Sequence, residues 1–417
     1  MNDYIPVATW IVLISLISAL ESYQGPSNRL TRYLLAQHQS ASPPDGKIVV
    51  SHEIELVHII NVDELKQLME VLVYIDEKWE DKSLKWEPAE FSNVTVTWLP
   101  EEALWVPDLI VFNMLEHKEL LHSVRSPVKV HFNGSVVFSY PAIYTVMCPI
   151  RIAEFPFDSQ TCELQIASWG YGEDKVLLRA MHKPFLTHYQ KNEEWSLQKV
   201  DVVREHYDHE GITVSELRYV IAVVRKPFYY LVSLVLPSYL ICALSIAGLF
   251  ARFSTRHERQ ERFTLGVTAI LSMAVLSLVV TEKVPHSSED VPLLIVYMHF
   301  IVVMVTIATI LTSTVMRVHA RGFDGEFKSP PLWAQKLLCV RNRKAEFEED
   351  SQGSVILKIH TAAEQWSEVA RRMDYLLAAV FIIIISTPTS YLFYMCMTVD
   401  YTAAERDLLA NRNETLI

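Results

Sequence analysis

The chain has 417 residues, half of them apolar, and a formal net charge of -12. This length predicts two or three domains. The acidic balance excludes nucleic acid as a partner and fits a surface that attracts cations.

The first apolar run, Ile5–Leu20, is short and sits at the N-terminus. It reads as a secretory signal over residues 1–21, although its n-region lacks positive charge; an uncleaved anchor is the other reading. Residues 22–226 carry short alternating runs broken by turn residues: "KIVVSHEIELVHI", "NVTVTWL", "VKVHFNGSVVFSY", "CELQIASW" and "ITVSELRYVIAVV". Period-two patterning with frequent turns predicts an antiparallel, Ig-like β-sandwich. Four apolar runs of spanning length follow at Phe228–Phe250, Phe263–Val280, Val291–Val315 and Tyr375–Met397. The predicted class is therefore α+β. A β-sandwich occupies 22–226, three membrane helices lie within 227–316, a cytoplasmic segment covers 317–372, a fourth membrane helix covers 373–399, and a tail fills 400–417.

Charge sets the topology. The first inter-helix loop holds Arg252, Arg256, Arg259 and Arg262, and the segment before the fourth run holds Arg317, Arg321, Arg341, Arg343, Arg371 and Arg372. The loop "TEKVPHSSED" is acidic on balance. The positive-inside rule then places both termini outside. The sequons at Asn93, Asn133 and Asn413 all fall on that outer side, as glycosylation acceptors must. Within the cytoplasmic segment, "SVILKIHTAAEQWSEVARR" has apolar residues at helical spacing and is predicted to run unbroken into the fourth membrane helix. It reads as a partner-binding site or as a solvated amphipathic helix.

Cys148 and Cys162 are the cysteines left outside, where disulfides persist; Cys242, Cys339 and Cys396 fall in membrane or cytoplasm. A zinc pair would need two further ligands, and no CxxC spacing is present. A staple is the better reading, worth about 3 kcal/mol in the chain-entropy account.

In the second membrane run, Thr264, Thr268, Leu271, Val275, Val279 and Glu282 recur at spacings of three or four and share one helical face. Glu261 precedes them at the inner mouth. A lone helix of this kind is also consistent with an ordinary bundle helix whose threonines bond backbone carbonyls. Carboxylates at both ends and an apolar middle are what pores use.

A disulfide around thirteen residues with "FPFD" inside, an extracellular β-domain and four membrane helices together resemble the Cys-loop (pentameric ligand-gated) receptor family, and nicotinic acetylcholine receptor subunits in particular. Seven motifs in the family's order carry the resemblance: "NVDE", "WEDKSLKW", "WVPD", "SWGYG", "RKPFYY", "ERFTLGVTAILS" and "HSSEDVPLL".

The resemblance implies a homo- or hetero-pentamer of similar subunits in the plasma membrane, surrounded by lipid and with a postsynaptic setting among those it admits, passing Na⁺ and K⁺. It makes residues 262–281 the pore helix, with Leu271 the hydrophobic girdle, Val275 beside it and Glu261 on the rim while Arg262 turns away. It implies a small-molecule agonist, a cationic amine, held between subunits by aromatic faces. The principal face would use Phe112, Trp169 and Tyr207, and the complementary face Tyr74. Agonist-binding nicotinic subunits have Tyr and Trp where this chain has Phe112 and Tyr74, and their capping loop carries adjacent cysteines that "REHYDHEGITVSEL" lacks. The cage is partial, and Trp169 taken singly also fits a core role. Glu205, His206, Asp208, His209 and Glu210 in the same loop fit a divalent metal, a proton sensor or plain exposed polarity.

For coupling, the resemblance pairs Arg225 with Asp158 and Glu64, and packs Phe155, Pro156 and Phe157 against the linker around Pro285. An ordinary domain-junction salt bridge explains the same residues without gating. No nucleophile elbow, phosphate loop or zinc-protease motif occurs, so neither an enzyme nor a cofactor is expected. The expected function is a ligand-gated cation channel subunit. The alternatives are an accessory or non-conducting subunit, a channel gated by protons or divalent metal, or a four-helix receptor signalling through its cytoplasmic segment.

Overall fold

Among its described residues, the computed structural model has eleven strands, β1–β11. The structure describes residues 25–119, 126–251, 258–282, 290–320, 330–331, 336, 338 and 353–411. The N-terminal run read as a signal, Pro285, Asn413 and most of the 317–352 stretch lie outside the described residues.

The chain divides into two compact units, one of residues up to 150 with 159–224 and the segment from 402, the other of 151–158 with 225–401. The first opens on helix α1 (Pro26–Gln37), started by a proline at its first turn and seated through Leu30 and Leu34, one turn apart and both buried. Two sheets follow. One runs β3-β6-β7-β2-β1-β9, with β5 also on β7; the other runs β10-β11-β8-β4. Here β1 is Ile48–Asp63, β2 Leu68–Glu80, β3 Val96–Leu99, β4 Leu109–Val111, β5 Met114–Glu119, β6 Val128–His131, β7 Ser135–Met147, β8 Ser159–Ser168, β9 Val176–Arg179, β10 Trp195–His209 and β11 Ile212–Arg225. Strict alternation along β2 turns Val71, Val73 and Ile75 inward, in register with Tyr144, Ala142 and Tyr140 of β7, and the other sheet buries Leu164 and Ile166 of β8 and Leu217 and Ile221 of β11. The five runs read from sequence all contain strands, while β2, β4, β5, β9 and β10 are additions. Asn133-Gly134 turns β6 into β7, with Gly134 at φ 83 and packed against Asp81 and Lys85, which leaves no room for a side chain.

The tail is not extended. It forms helix α6 (Ala403–Asn411), packed on β10, with Glu405 fully buried and approached by the Tyr189 hydroxyl at 3.3 Å, the Ser196 hydroxyl at 3.4 Å and the Leu197 amide at 3.4 Å. The burial around it pushes the Tyr189 phenol up, and the neighbouring carboxylate adds to this.

Among the described residues, the second unit holds four helices long and apolar enough to cross a membrane: α2 (Phe228–Phe250), α3 (Glu258–Thr281), α4 (Leu293–Ala320) and α5 (Gly353–Thr398). Helix α2 contains one π turn at Leu231–Val235, just ahead of Pro237, whose missing amide breaks the regular ladder. Small residues set the packing distance: a methyl at Gly248 would overlap Leu265, and one at Gly266 would overlap Thr309. The predicted amphipathic stretch and the fourth membrane run are one unbroken helix, α5.

Candidate functional site

Three of the four predicted ligand-binding aromatics meet. The Phe112 ring lies 5.9 Å from that of Trp169 and 6.2 Å from that of Tyr207. Trp169 is 73% exposed, which rules out the core role that a lone tryptophan suggests. Asp108 positions it: one carboxylate oxygen accepts from Ser168 Oγ at 2.5 Å, the other from the Gly170 amide at 2.6 Å, and the Asp108 carbonyl accepts from the Trp169 amide at 3.2 Å. The Asp of "WVPD" therefore fixes the loop that presents the indole. Tyr74 stands elsewhere, on the outer face of β2, 42% exposed, with its ring 6.0 Å from that of His188. One chain thus carries both halves of the aromatic set without joining them.

The capping hairpin turns at Glu210 and Gly211, both at positive φ. Its polar residues disperse to separate partners. His206 pairs with Glu173 at 2.8 Å, Glu205 with Arg218 at 3.1 Å, and Asp208 accepts from Thr213 at 2.8 Å. Among the described residues, no three His, Cys, Asp or Glu side chains converge as a metal site.

Around Tyr74 lies a cavity of about 430 Å³, bounded by Glu53, Glu55, Asp76, Tyr140 and Phe185 as well. Sequence reading missed it, because its walls come from β1, β2, β7 and the loop after β9. Two histidines of that loop pin it to β1: His182 pairs with Glu53 at 2.8 Å and His188 with Glu55 at 2.9 Å. Burial acts upward on the Glu53 carboxyl, but hydrogen bonds from Lys78 and His182 outweigh it and hold it below the usual range. On the inner face of β2, burial pushes Glu77 up to about 7, against the pull of the Tyr140 hydroxyl. Opposite it on β1, burial pushes His52 down to about 4, against the attraction of Glu53.

Cys148 and Cys162 form the disulfide, with an S–S distance of 2.01 Å. Gln67, in the β1–β2 turn beside Glu64, holds the start of the loop: its side-chain oxygen accepts from the Ile150 amide at 2.6 Å, and its carbonyl from the Cys148 amide at 2.9 Å. The loop tip belongs to the helical unit. Asp158 grips Arg225 in a fork, 2.8 Å to Nε and 3.2 Å to Nη2, with both side chains essentially inaccessible. The guanidinium also lies over the rings of Phe155, at 4.8 Å, and Tyr230, at 5.6 Å. Pro156, after a cis bond, is buried and Phe157 half-buried. The carbonyls of Ala153 and Phe155 accept from the Leu293 and Leu294 amides at 3.0 and 3.2 Å, so the loop caps the otherwise open N-terminus of α4. The sequence held no signal for that cap, since any residue supplies a carbonyl.

On α3 the predicted pore face is open: Glu261, Thr264, Thr268, Leu271, Val275, Val279 and Glu282 are all exposed. Arg262, Gly266, Ala269, Met273 and Val280 are buried on the other side. Arg262 turns into its own bundle, with Nη1 3.4 Å from both Asp374 and Thr312, and Nη2 donating to the Ala251 carbonyl at 2.7 Å. Of the sequons, Asn93 and Asn133 are exposed in turns.

Two family models match, one for the neurotransmitter-gated ion-channel ligand binding domain at residues 27–227, the other for the neurotransmitter-gated ion-channel transmembrane region at residues 234–354. The chain is 65% identical over 400 residues to the proton-gated ion channel subunit pbo-6 of Caenorhabditis elegans, covering 96% of this chain and 94% of that one. It is 32% identical to the acetylcholine receptor subunit alpha-type deg-3 of the same organism, covering 76% of this chain and 58% of the relative. Against its betaine receptor acr-23 it is 30% identical, covering 78% and 63%.

Proposed function

Since the chain belongs to the neurotransmitter-gated ion-channel family, we propose that it is a subunit of a pentameric plasma-membrane cation channel opened by extracellular protons. The observation that carries this reading is the 65% identity, over nearly the whole length of both chains, to a subunit named as proton-gated. The two histidine–carboxylate pairs beside Tyr74 support it, because histidine is the residue type whose ordinary charge change falls between pH 5 and 8. Glycans at Asn93, Asn133 and Asn413 would fit an exposed outer domain, and the fork between Asp158 and Arg225, with Glu64 and Pro285 as the further partners that the family resemblance implies, would pass the signal to Leu271. Stepping external pH from 7.5 to 6 on cells expressing this chain, alone and with related subunits, should evoke inward current. Silence at every pH in both settings would overturn the reading, and current only on co-expression would mark an accessory subunit.

A cationic amine is the second reading, favoured by the exposed Phe112, Trp169 and Tyr207 cluster. Under it, an amine opens the channel at constant pH, and Trp169→Ala lowers potency up to about thirtyfold, the equivalent of about 2 kcal/mol. Under the proton reading, Trp169→Ala leaves the acid response in place.

A further inference from the structure

Among the buried carboxylates described in the β-domain, Glu77 is the one left with a single neutral donor. Glu53 has Lys78 and His182, Asp81 has His38 and Ser83, Glu216 has Arg218, and Glu405 has three donors. Glu77 is 2% exposed, and its Oε1 accepts from Tyr140 at 2.8 Å while its Oε2 has no hydrogen-bond partner among the described residues. Two positions along the same face of β2, the buried Trp79 Nε1–H likewise lacks an acceptor. An ionised carboxylate so placed is costly, and the protonated acid is the form that this environment accepts.

Among the described residues, the groups facing Glu77 include no permanent cation. They are Tyr140 on β7, which also interacts with Tyr144, His52 directly across on β1, Glu101 in the short helix after β3, and Tyr219 on β11, whose hydroxyl lies 3.0 Å from His52 Nδ1. Lys78 projects to the other face of β2, onto Glu53. Tyr140 belongs to two surroundings at once: it bounds the Tyr74 cavity, and its hydroxyl donates to Glu77. The strand that carries Glu77 and Tyr74 ends at Leu68, next to the Gln67 clamp on the disulfide loop.

We propose that Glu77 is the carboxyl at which the extracellular domain takes up a proton, with Tyr140 joining it to the cavity. The site deepens the proton-gated reading and, for its part in opening, rests on it. Burial places the carboxyl's titration around neutrality, where an extracellular acid step would change its occupancy.

The test uses the full-length channel. Glu77→Gln fixes a neutral side chain of the same shape, so this variant should conduct at pH 7.5 and lose most of its response to acid. Tyr140→Phe removes the one hydrogen bond that favours the ionised form, so its half-activation should move to higher pH by roughly half a unit or more. An unchanged half-activation pH in either variant, at surface expression equal to the wild type, would overturn the site. Infrared titration of the purified channel separates this proposal from the wider reading. A protonated-carboxyl band that titrates near neutrality and is missing from Glu77→Gln supports the site even if acid evokes no current. Its absence from the wild type overturns the site even if acid does.

Discussion

Arg262 Nη1 and Asp374 Oδ1 lie 3.4 Å apart, both side chains buried, so that α3 is tied to α5 by a charge pair. Successive residues on a helix point about 100° apart, and with Arg262 held inside the bundle its neighbour Glu261 is left on the open face. Leaving one partner of a buried pair unmatched costs about 3–5 kcal/mol. Arg262→Gln and Asp374→Asn should each therefore cut delivery of the channel to the cell surface severalfold, and the double variant should recover part of it. Surface biotinylation decides: a double variant no better than the worse single one would refute the coupling.

Glu261 repeated around a ring would concentrate cations within about a Debye length of 8 Å. Replacing it with Gln, while Arg262 stays buried, should shift the reversal potential toward that of chloride under a NaCl dilution gradient. No shift would remove Glu261 from the rim.

Leu271 is 64% exposed midway along the apolar part of the open face of α3. A constriction of such side chains closes a pore by excluding water. Leu271→Ser should wet it more readily, and the expected result is half-activation at higher pH with spontaneous current at pH 7.5. Recordings indistinguishable from the wild type would place Leu271 off the pore axis.

Two core groups oppose each other in their effect on stability. Glu77, raised from its ordinary value to about 7, contributes stability that is fully present below its unfolded titration and is lost as pH rises through 7. His52, lowered to about 4, contributes stability that is present above its ordinary titration and is lost as pH falls towards 4. Acidifying from pH 7.5 to 5 should thus change the wild-type melting temperature little through this pair. In Glu77→Gln only the His52 loss remains, so its stability should fall by up to about 1.4 kcal/mol per pH unit across that window. Differential scanning of both proteins at pH 7.5, 6 and 5 checks the sign. Parallel curves would remove Glu77 from the balance.

Residue pattern is enough for those parts of the molecule whose cause is local. Period-two runs specify strands, apolar runs of spanning length specify α2–α5, and three-or-four spacing specifies the open face of α3. Two outer cysteines specify the disulfide. Even Glu77 was legible in principle, since "VLVYIDEKW" puts it at an inward position of an alternating strand. Which groups meet depends on the folded chain. Asp374 is 112 residues from Arg262, Tyr140 is 63 from Glu77, and Glu405 is 216 from Tyr189. Capping of α4 by the Ala153 and Phe155 carbonyls leaves no side-chain trace at all. Periodicity fixes the face on which a side chain stands, whereas its partner is fixed by strand register and helix rotation, and these are set by the whole core at once.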